Sequence, residues 1–346
     1  MRRIGGNSDQ RGHQEKEEKM RKVVVSGLSG FIGHHFGEHI LKNTDWEIIG
    51  LDRLSYASLG YARLRDNNLL NHPRVTVHTH DISNPITEGL AQEIGEVDYI
   101  VHMGAETHVD NSIKNAWPFV KSNVIGTYQM LEFARQQKNL KKFLYFSTDE
   151  VFGPAPVGTS YKEWDRYNST NPYAATKAGG EELCLAYANT YGIPLVITHS
   201  MNVYGERQHK EKFIPIIMRK VLSGDVLEIH CKDGVPARRS WIHARNSSSA
   251  VLHLLEKGEQ REKYNITGEA EYCNLDLAQL VAKIIGKELN YKLVDFYADR
   301  PGHDPRYMLD GSRLHASGWV MPIDFEDSLR RTVNWTMAHK RWLDWN

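Results

Sequence analysis

The sequence predicts an α/β fold: a doubly wound parallel sheet with helices on both faces, followed by a smaller lobe packed on it. Two observations carry this prediction. Short apolar, β-branched runs alternate with helical stretches from residue 21 to about residue 205. Beyond that point the pattern becomes irregular, with no internal repeat and no low-complexity linker.

The elements follow in order. "RKVVVSG" (21–27) is a buried strand bounded by Gly, and Phe31 to Asn43 is helical. "WEIIGLD" (46–52), "RVTVHTHD" (74–81) and "VDYIVHMGA" (97–105) are the next three strands. A long helix runs from about Trp117 to Lys138, then "KKFLYFS" (141–147) and "PLVITHSMNVYG" (194–205) are strands five and six. In the lobe, "KEKFIPIIMRKVLSGD" (210–225) and "LDLAQLVAKIIGK" (275–287) read as helices. Residues 1–20 are polar and charged, lack the apolar stretch of a signal peptide, and are expected to form a disordered tail. The organisation expected is thus a tail (1–20), a dinucleotide-binding domain (21–205) and a lobe (206–346) with some segments returning to that domain.

Bulk properties remove several function classes. The formal net charge of the 346 residues is +0, which gives no electrostatic reason to expect nucleic acid. No apolar run approaches the roughly 20 residues of a membrane span. The three cysteines, Cys184, Cys231 and Cys273, are far apart and form no CxxC, which argues against a disulfide framework or zinc site and fits a reducing compartment such as the cytoplasm. "HFGEH" (His35 to His39) matches an inverted zinc-peptidase pattern. It falls on a helix that must pack on the sheet and has no evident third ligand, so no metal is expected.

"GLSGFIG" sets Gly27, Gly30 and Gly33 between the first strand and the first helix. Glycines let the backbone approach a pyrophosphate, and the helix start supplies unpaired N–H groups. Asp52 ends the second strand roughly 20 residues on, where an acid binds ribose hydroxyls. A Rossmann-like NAD site is therefore expected, and Asp52 favours NAD over NADP. Arg53 beside it weighs the other way, since a nearby Arg can receive a 2′-phosphate.

Two further stretches carry chemistry. "NPYAATKAGGEE" places Tyr173 and Lys177 on one helical face at i, i+4, where an ammonium is expected to lower the phenol's pKa. "YFSTDEVFG" (145–153) ends a strand in the adjacent acids Asp149 and Glu150. Alone, such a pair fits a solvated turn; in a cleft it could move protons.

With these residues the chain resembles the extended short-chain dehydrogenase/reductases and, within them, the nucleotide-sugar 4,6-dehydratases. The matching pieces are "GLSGFIG", "GAETHVDNSI" (104–113), "STDEVFG" (147–153), "NPYAATKAGGE" (171–181), "NVYGERQHKEKFIPI" (202–216), "RRSWIH" (238–243) and "RPGHDPRY" (300–307). The resemblance implies a homodimer paired through the helix before Lys138 and the helix of Tyr173. It also implies dehydration of a nucleoside-diphosphate glucose, dTDP-glucose first and UDP-glucose second. Tyr173 would take the C4 hydroxyl proton, with Lys177 and Thr148 holding the geometry; Glu150 would be the base at C5 and Asp149 the acid at the C6 hydroxyl.

The same resemblance adds Phe31, Ile32 and Ala105 to the NAD site, with Asp81 and Ile82 at the adenine end. It assigns Arg239, Arg300 and His303 to the diphosphate and base, and Thr107, Asn202 and Lys212 to the substrate. Ser29, Gly104, Glu206, Ala270 and Pro305 depart from the family's usual residues. These departures cluster in the nucleotide-facing lobe; they leave the dehydratase chemistry intact and the choice among dTDP, UDP and the hexose itself open. A 4-epimerase or UDP-glucuronate decarboxylase shares the fold, NAD, Tyr and Lys but needs no acid/base pair for elimination. From another class, a silent NAD-binding module remains.

Overall fold

The computed structural model describes residues 20–295 and 304–344. Its strands are β1 (Lys22–Ser26), β2 (Glu47–Asp52), β3 (Val75–Thr79), β4 (Tyr99–His102), β5 (Lys142–Thr148), β6 (Leu195–Ser200), β7 (Asn202–Tyr204), β8 (Leu227–Lys232), β9 (Val235–Pro236), β10 (Arg238–His243), β11 (Glu262–Ile266), β12 (Glu271–Cys273) and β13 (Tyr291–Asp295). The helices used below are α1 (Phe31–Asn43), α2 (Ala62–Asp66), α3 (Glu88–Ile94), α4 (Val109–Lys114), α5 (Trp117–Phe119), α6 (Gly126–Gln136), α7 (Pro172–Tyr191), α8 (Phe213–Ser223), α9 (Ala244–Lys257) and α10 (Asn274–Ile285).

Seven strands form one parallel sheet in the order β11-β6-β5-β4-β1-β2-β3. The order reverses between β1 and β4, the switch point at which open α/β sheets bind ligands. The strand sequences dictate burial on both faces. In β1, Val23 and Val25 pack with Phe36 and Val251 on one side, while Val24 packs with Leu131 and Phe143 on the other. Each such buried aliphatic side chain contributes about 1.5–3 kcal/mol. Where β1 and β4 end, Ser26 Oγ meets His102 Nδ1 at 2.6 Å and His102 Nε2 meets Thr127 Oγ1 at 3.0 Å, so a buried polar pin fixes the floor of the switch point.

The lobe carries two three-stranded sheets, β12-β10-β7 and β13-β8-β9. Ile217, Trp241, Leu277, Val281 and Leu329 form its core. From beyond residue 205, β11 pairs with β6 and forms one edge of the main sheet, and α9 packs on α1. No described helix is long and apolar enough to cross a membrane.

Several boundaries differ from the sequence reading, each for a local reason. The run 194–205 is two strands, because the chain leaves the main sheet after Ser200 and β7 pairs with β10 instead. The predicted helix 117–138 contains a π-helical stretch at Val120–Ile125 and ends at Gln136. The wide turn lets the Asn123 side chain bond the Glu106 backbone and Thr176. α8 begins at Phe213 rather than at 210, since Lys212 is extended and Pro215 fits only a first turn. α10 stops at Ile285, where Gly286 takes the left-handed cap conformation. The short helices α2, α3 and α4 and the lobe strands carried too little periodicity to be read. Residues 1–19 lie outside the described residues.

Candidate active site

The C-terminal ends of β1, β4, β5 and β6 open into a cleft of about 600 Å³ between the sheet and the lobe. That is the size of a small-molecule or cofactor site. Gly27, Gly30, Phe31, Ile32 and Gly33 line one end of it, Thr148, Asp149, Glu150, Tyr173 and Lys177 the middle, and Asn202, Lys212 and Arg239 the lobe side.

The glycine loop is built for close approach. Gly27 has φ +76°, where L side chains are strained. A Cβ on Gly33 would lie 2.1 Å from Gly27 O. α1 starts at Phe31 with no side-chain cap on its first turn, so its N–H groups face the cleft unclaimed by a capping side chain. These features fit a pyrophosphate, and a dinucleotide such as NAD is the group whose diphosphate and ribose this loop and Asp52 would hold. Asp52 is buried and accepts from the backbone N–H of Ser29 at 3.0 Å and of Leu54 at 2.8 Å.

Beside it, Arg53 donates to Glu106 and lies 3.7 Å from Asp81. Asp81 is set back from the cleft and accepts from Ser83 N and Oγ. Ile82 and Ala105 line the cleft, and Ile82 packs where Gly104 and Gly126 leave no Cβ.

β5 is wholly buried and ends at Thr148, which caps a 3₁₀ turn over Asp149–Phe152. Thr148 Oγ1 donates to Asp149 Oδ1 at 3.1 Å. Asp149 Oδ2 is buried with no partner among the described residues. Burial first, and the charge of Glu150 second, push the Asp149 carboxyl up to about 7. Glu150 is less buried, and its Oε2 accepts from Asn171 Nδ2 at 3.0 Å and from the Tyr307 hydroxyl at 3.5 Å. Two adjacent carboxyls are thus given different work: one keeps a proton near neutral pH, and the other is addressed by donors, as an acceptor-only carboxylate is.

Asn171 and Pro172 start α7, which brings Tyr173 and Lys177 to the cleft. The expected effect of Lys177 on Tyr173 does not hold here. Burial, then Glu150 and Asp149, hold the Tyr173 phenol well above its ordinary value. Lys177 Nζ instead donates to Phe146 O at 2.8 Å and rests 4.1 Å from the centre of the Tyr145 ring. Burial lowers Lys177 to about 8, with Glu181 opposing.

On the lobe side, Thr107, Asn202 and Lys212 line the cleft. Arg239 lies over the Tyr307 ring at 4.5 Å and donates to the carbonyls of Asp304 (2.6 Å) and Pro305 (3.0 Å). Arg300 and His303 lie outside the described residues. His35 and His39 make no metal site with the other described residues: His35 Nε2 pairs with Glu206 O at 3.0 Å, and His39 with Asn43. The sequence reading missed Asn171, Tyr307 and Glu106. Asn before Pro is an N-cap signal that could have marked Asn171; nothing in the sequence marks the Arg53–Glu106 pair.

The model described as the NAD dependent epimerase/dehydratase family matches residues 23–267. A dTDP-glucose 4,6-dehydratase of Haemophilus influenzae is 36% identical over 336 residues, covering 91% of this chain and 98% of that protein. A trifunctional protein of Arabidopsis thaliana that includes UDP-glucose 4,6-dehydratase activity is 34% identical over 330 residues, 94% of this chain and 48% of its own length. The crystal structure of a dTDP-glucose 4,6-dehydratase from Streptomyces venezuelae with NAD and TYD bound superposes with a TM-score of 0.85 at 35% identity, covering 93% of this chain and 100% of that one.

Proposed function

The chain belongs to the NAD dependent epimerase/dehydratase family, and within it we propose that it is a hydro-lyase that converts a nucleoside-diphosphate glucose into its 4-keto-6-deoxy derivative. dTDP-glucose is the first candidate substrate and UDP-glucose the second, in line with the relatives' activities. The observation that carries the reading is the contrast between Asp149, raised to about 7 with an oxygen unpaired among the described residues, and Glu150, which accepts from Asn171 and Tyr307. An epimerase has no use for such a pair.

The chemistry requires three stages, because the C5 proton of a hexose is not acidic until C4 is a ketone. Bound NAD would supply a hydride acceptor for C4 and, once reduced, a hydride donor for C6. Tyr173 takes the proton of the C4 hydroxyl as the phenolate, a form that the Thr148 hydroxyl favours against burial. Lys177, anchored on Phe146 O, brings a positive charge to the same wall. Glu150 removes the C5 proton while Asp149 gives its proton to the C6 oxygen, which leaves as water. Glu150 then restores a proton to C5. Tyr173 gains one proton and Asp149 loses one, so a single transfer between them resets the site. Thr107, Asn202 and Lys212 are proposed to hold the sugar, and Arg239, Arg300 and His303 the diphosphate and base.

A homodimer is part of the proposal. Trp117, Ile125, Tyr128 and Tyr191 are exposed apolar residues on α5, the π-helical stretch, α6 and α7, the surfaces through which two copies would pair. The three cysteines are buried and unpaired, which supports a reducing, cytoplasmic setting.

The test is incubation of the purified protein with dTDP-glucose, UDP-glucose, GDP-mannose and UDP-N-acetylglucosamine separately, with products read by mass spectrometry and NMR. Loss of one water with a C4 ketone and a new C6 methyl is the expected result. Inversion at C4 without loss of water would replace the reading with an epimerase.

A further inference from the structure

The residue at the head of α7 does two jobs at once. Asn171 is buried, and its Oδ1 accepts the N–H of Ala174 at 2.9 Å, the ordinary contact of a helix N-cap. Its Nδ2 donates to Glu150 Oε2 at 3.0 Å. One amide therefore joins the helix that carries Tyr173 and Lys177 to the turn that carries Glu150.

Capping alone does not call for asparagine, because Ser and Asp cap about as well. Among the preferred cap residues only Asn offers an acceptor to the helix and a separate NH₂ donor to a carboxylate. Both partners fix the amide's orientation. Reversed, its NH₂ would face an N–H and its oxygen would face a carboxylate.

We propose that Asn171 is a positioning residue that holds the Glu150 carboxylate in register with Tyr173, so that the group that takes the C5 proton and the group that takes the C4 hydroxyl proton are set by one joint. The proposal rests on the dehydratase reading above. Its physical content is orientation: a misdirected base loses rate even when its chemistry is intact. Tyr307 reaches the same oxygen only at 3.5 Å and leaves Asn171 as the closer donor.

The variants are Asn171→Ser, which keeps the cap and withdraws the donor, and Asn171→Asp, which keeps the cap and turns an acceptor toward Glu150. Each is purified with its cofactor and melted. Each is then mixed with the nucleotide sugar in single turnover, following the absorbance of reduced nicotinamide and the uptake of solvent deuterium at C5.

In Asn171→Ser the melting temperature and KM should stay close to wild type, and the absorbance should rise at a rate within about 3-fold of it. Deuterium uptake and its decay should slow by about 10-fold or more, so that reduced cofactor accumulates. Asn171→Asp should slow the same step at least as much, a loss that a pure cap role would not produce. Equal loss at oxidation and elimination, or no loss at either, overturns the assignment. A wild-type protein that releases no 4-keto-6-deoxy product overturns the dehydratase reading itself, and the proposal with it.

Discussion

The Asp149 carboxyl ends in an oxygen, Oδ2, that is buried and unpaired among the described residues, while the carboxyl of Glu150, one residue on, accepts at Oε2 from Asn171 and Tyr307. Burial and the neighbouring Glu150 charge push Asp149 up to about 7, so below that pH it holds a proton that a departing hydroxyl can take. Above it the proton is lost. The elimination step should therefore slow as pH rises through about 7, approaching tenfold per unit. Asp149→Asn should remove that limb and lower turnover by roughly 10²–10⁴ while leaving C4 oxidation in place. Single-turnover rates from pH 5.5 to about 9 would read both.

The same shift has a cost in stability. An unfolded Asp titrates near 3.8, and the folded one holds its proton to about 7. Between these values folding binds a proton, so stability falls as pH rises through the window, and the loss is complete above it. Asp149→Asn carries no charge and avoids it. In urea unfolding the variant should match wild type near the low end of the window. At the high end it should exceed wild type by on the order of 1–4 kcal/mol.

The apolar, β-branched runs and the glycine loop made β1 to β6, α1 and the cofactor end legible, because parallel strands buried on both faces are near-continuous apolar runs. Asp149 and Glu150 could be named from "STDEVFG" but not told apart, since the difference comes from Asn171 and Tyr307, which are 21 and 157 residues from Glu150 in the chain. The Lys177–Tyr173 expectation failed for the same reason. Spacing places two side chains on one face, and only the fold shows that Phe146 O claims the ammonium. The lobe strands were illegible because each is short and finds its partner far along the chain, as β7 does in β10.

Glu150 also bears on Tyr173. After burial, its charge is the largest influence holding the phenol above its ordinary value. Glu150→Gln removes that charge together with the base. The variant should stop at C5, with solvent deuterium uptake abolished, yet its C4 oxidation should reach half-maximal rate at a lower pH than wild type. An unshifted oxidation profile would mean that Glu150 does not act on Tyr173 through charge.

Cofactor choice turns on Arg53. An arginine beside the ribose-binding acid is the usual receiver of a 2′-phosphate, but here its guanidinium donates to Glu106 and sits 3.7 Å from Asp81. Burial raises the Glu106 carboxyl, and Arg53 opposes that rise, so the pair is partly desolvated and its arginine is committed. Asp52, with both oxygens already drawn by the backbone of Ser29 and Leu54, adds a fixed negative charge where the phosphate would lie. Glu106→Gln should release Arg53 and raise NADP affinity by about 3- to 30-fold, with NAD affinity changed by less than about 3-fold. Titration of each variant with both dinucleotides by intrinsic fluorescence would measure the ratio. If Glu106→Gln leaves NADP binding where it was, Asp52 alone sets the preference and the Arg53–Glu106 pair has no part in it.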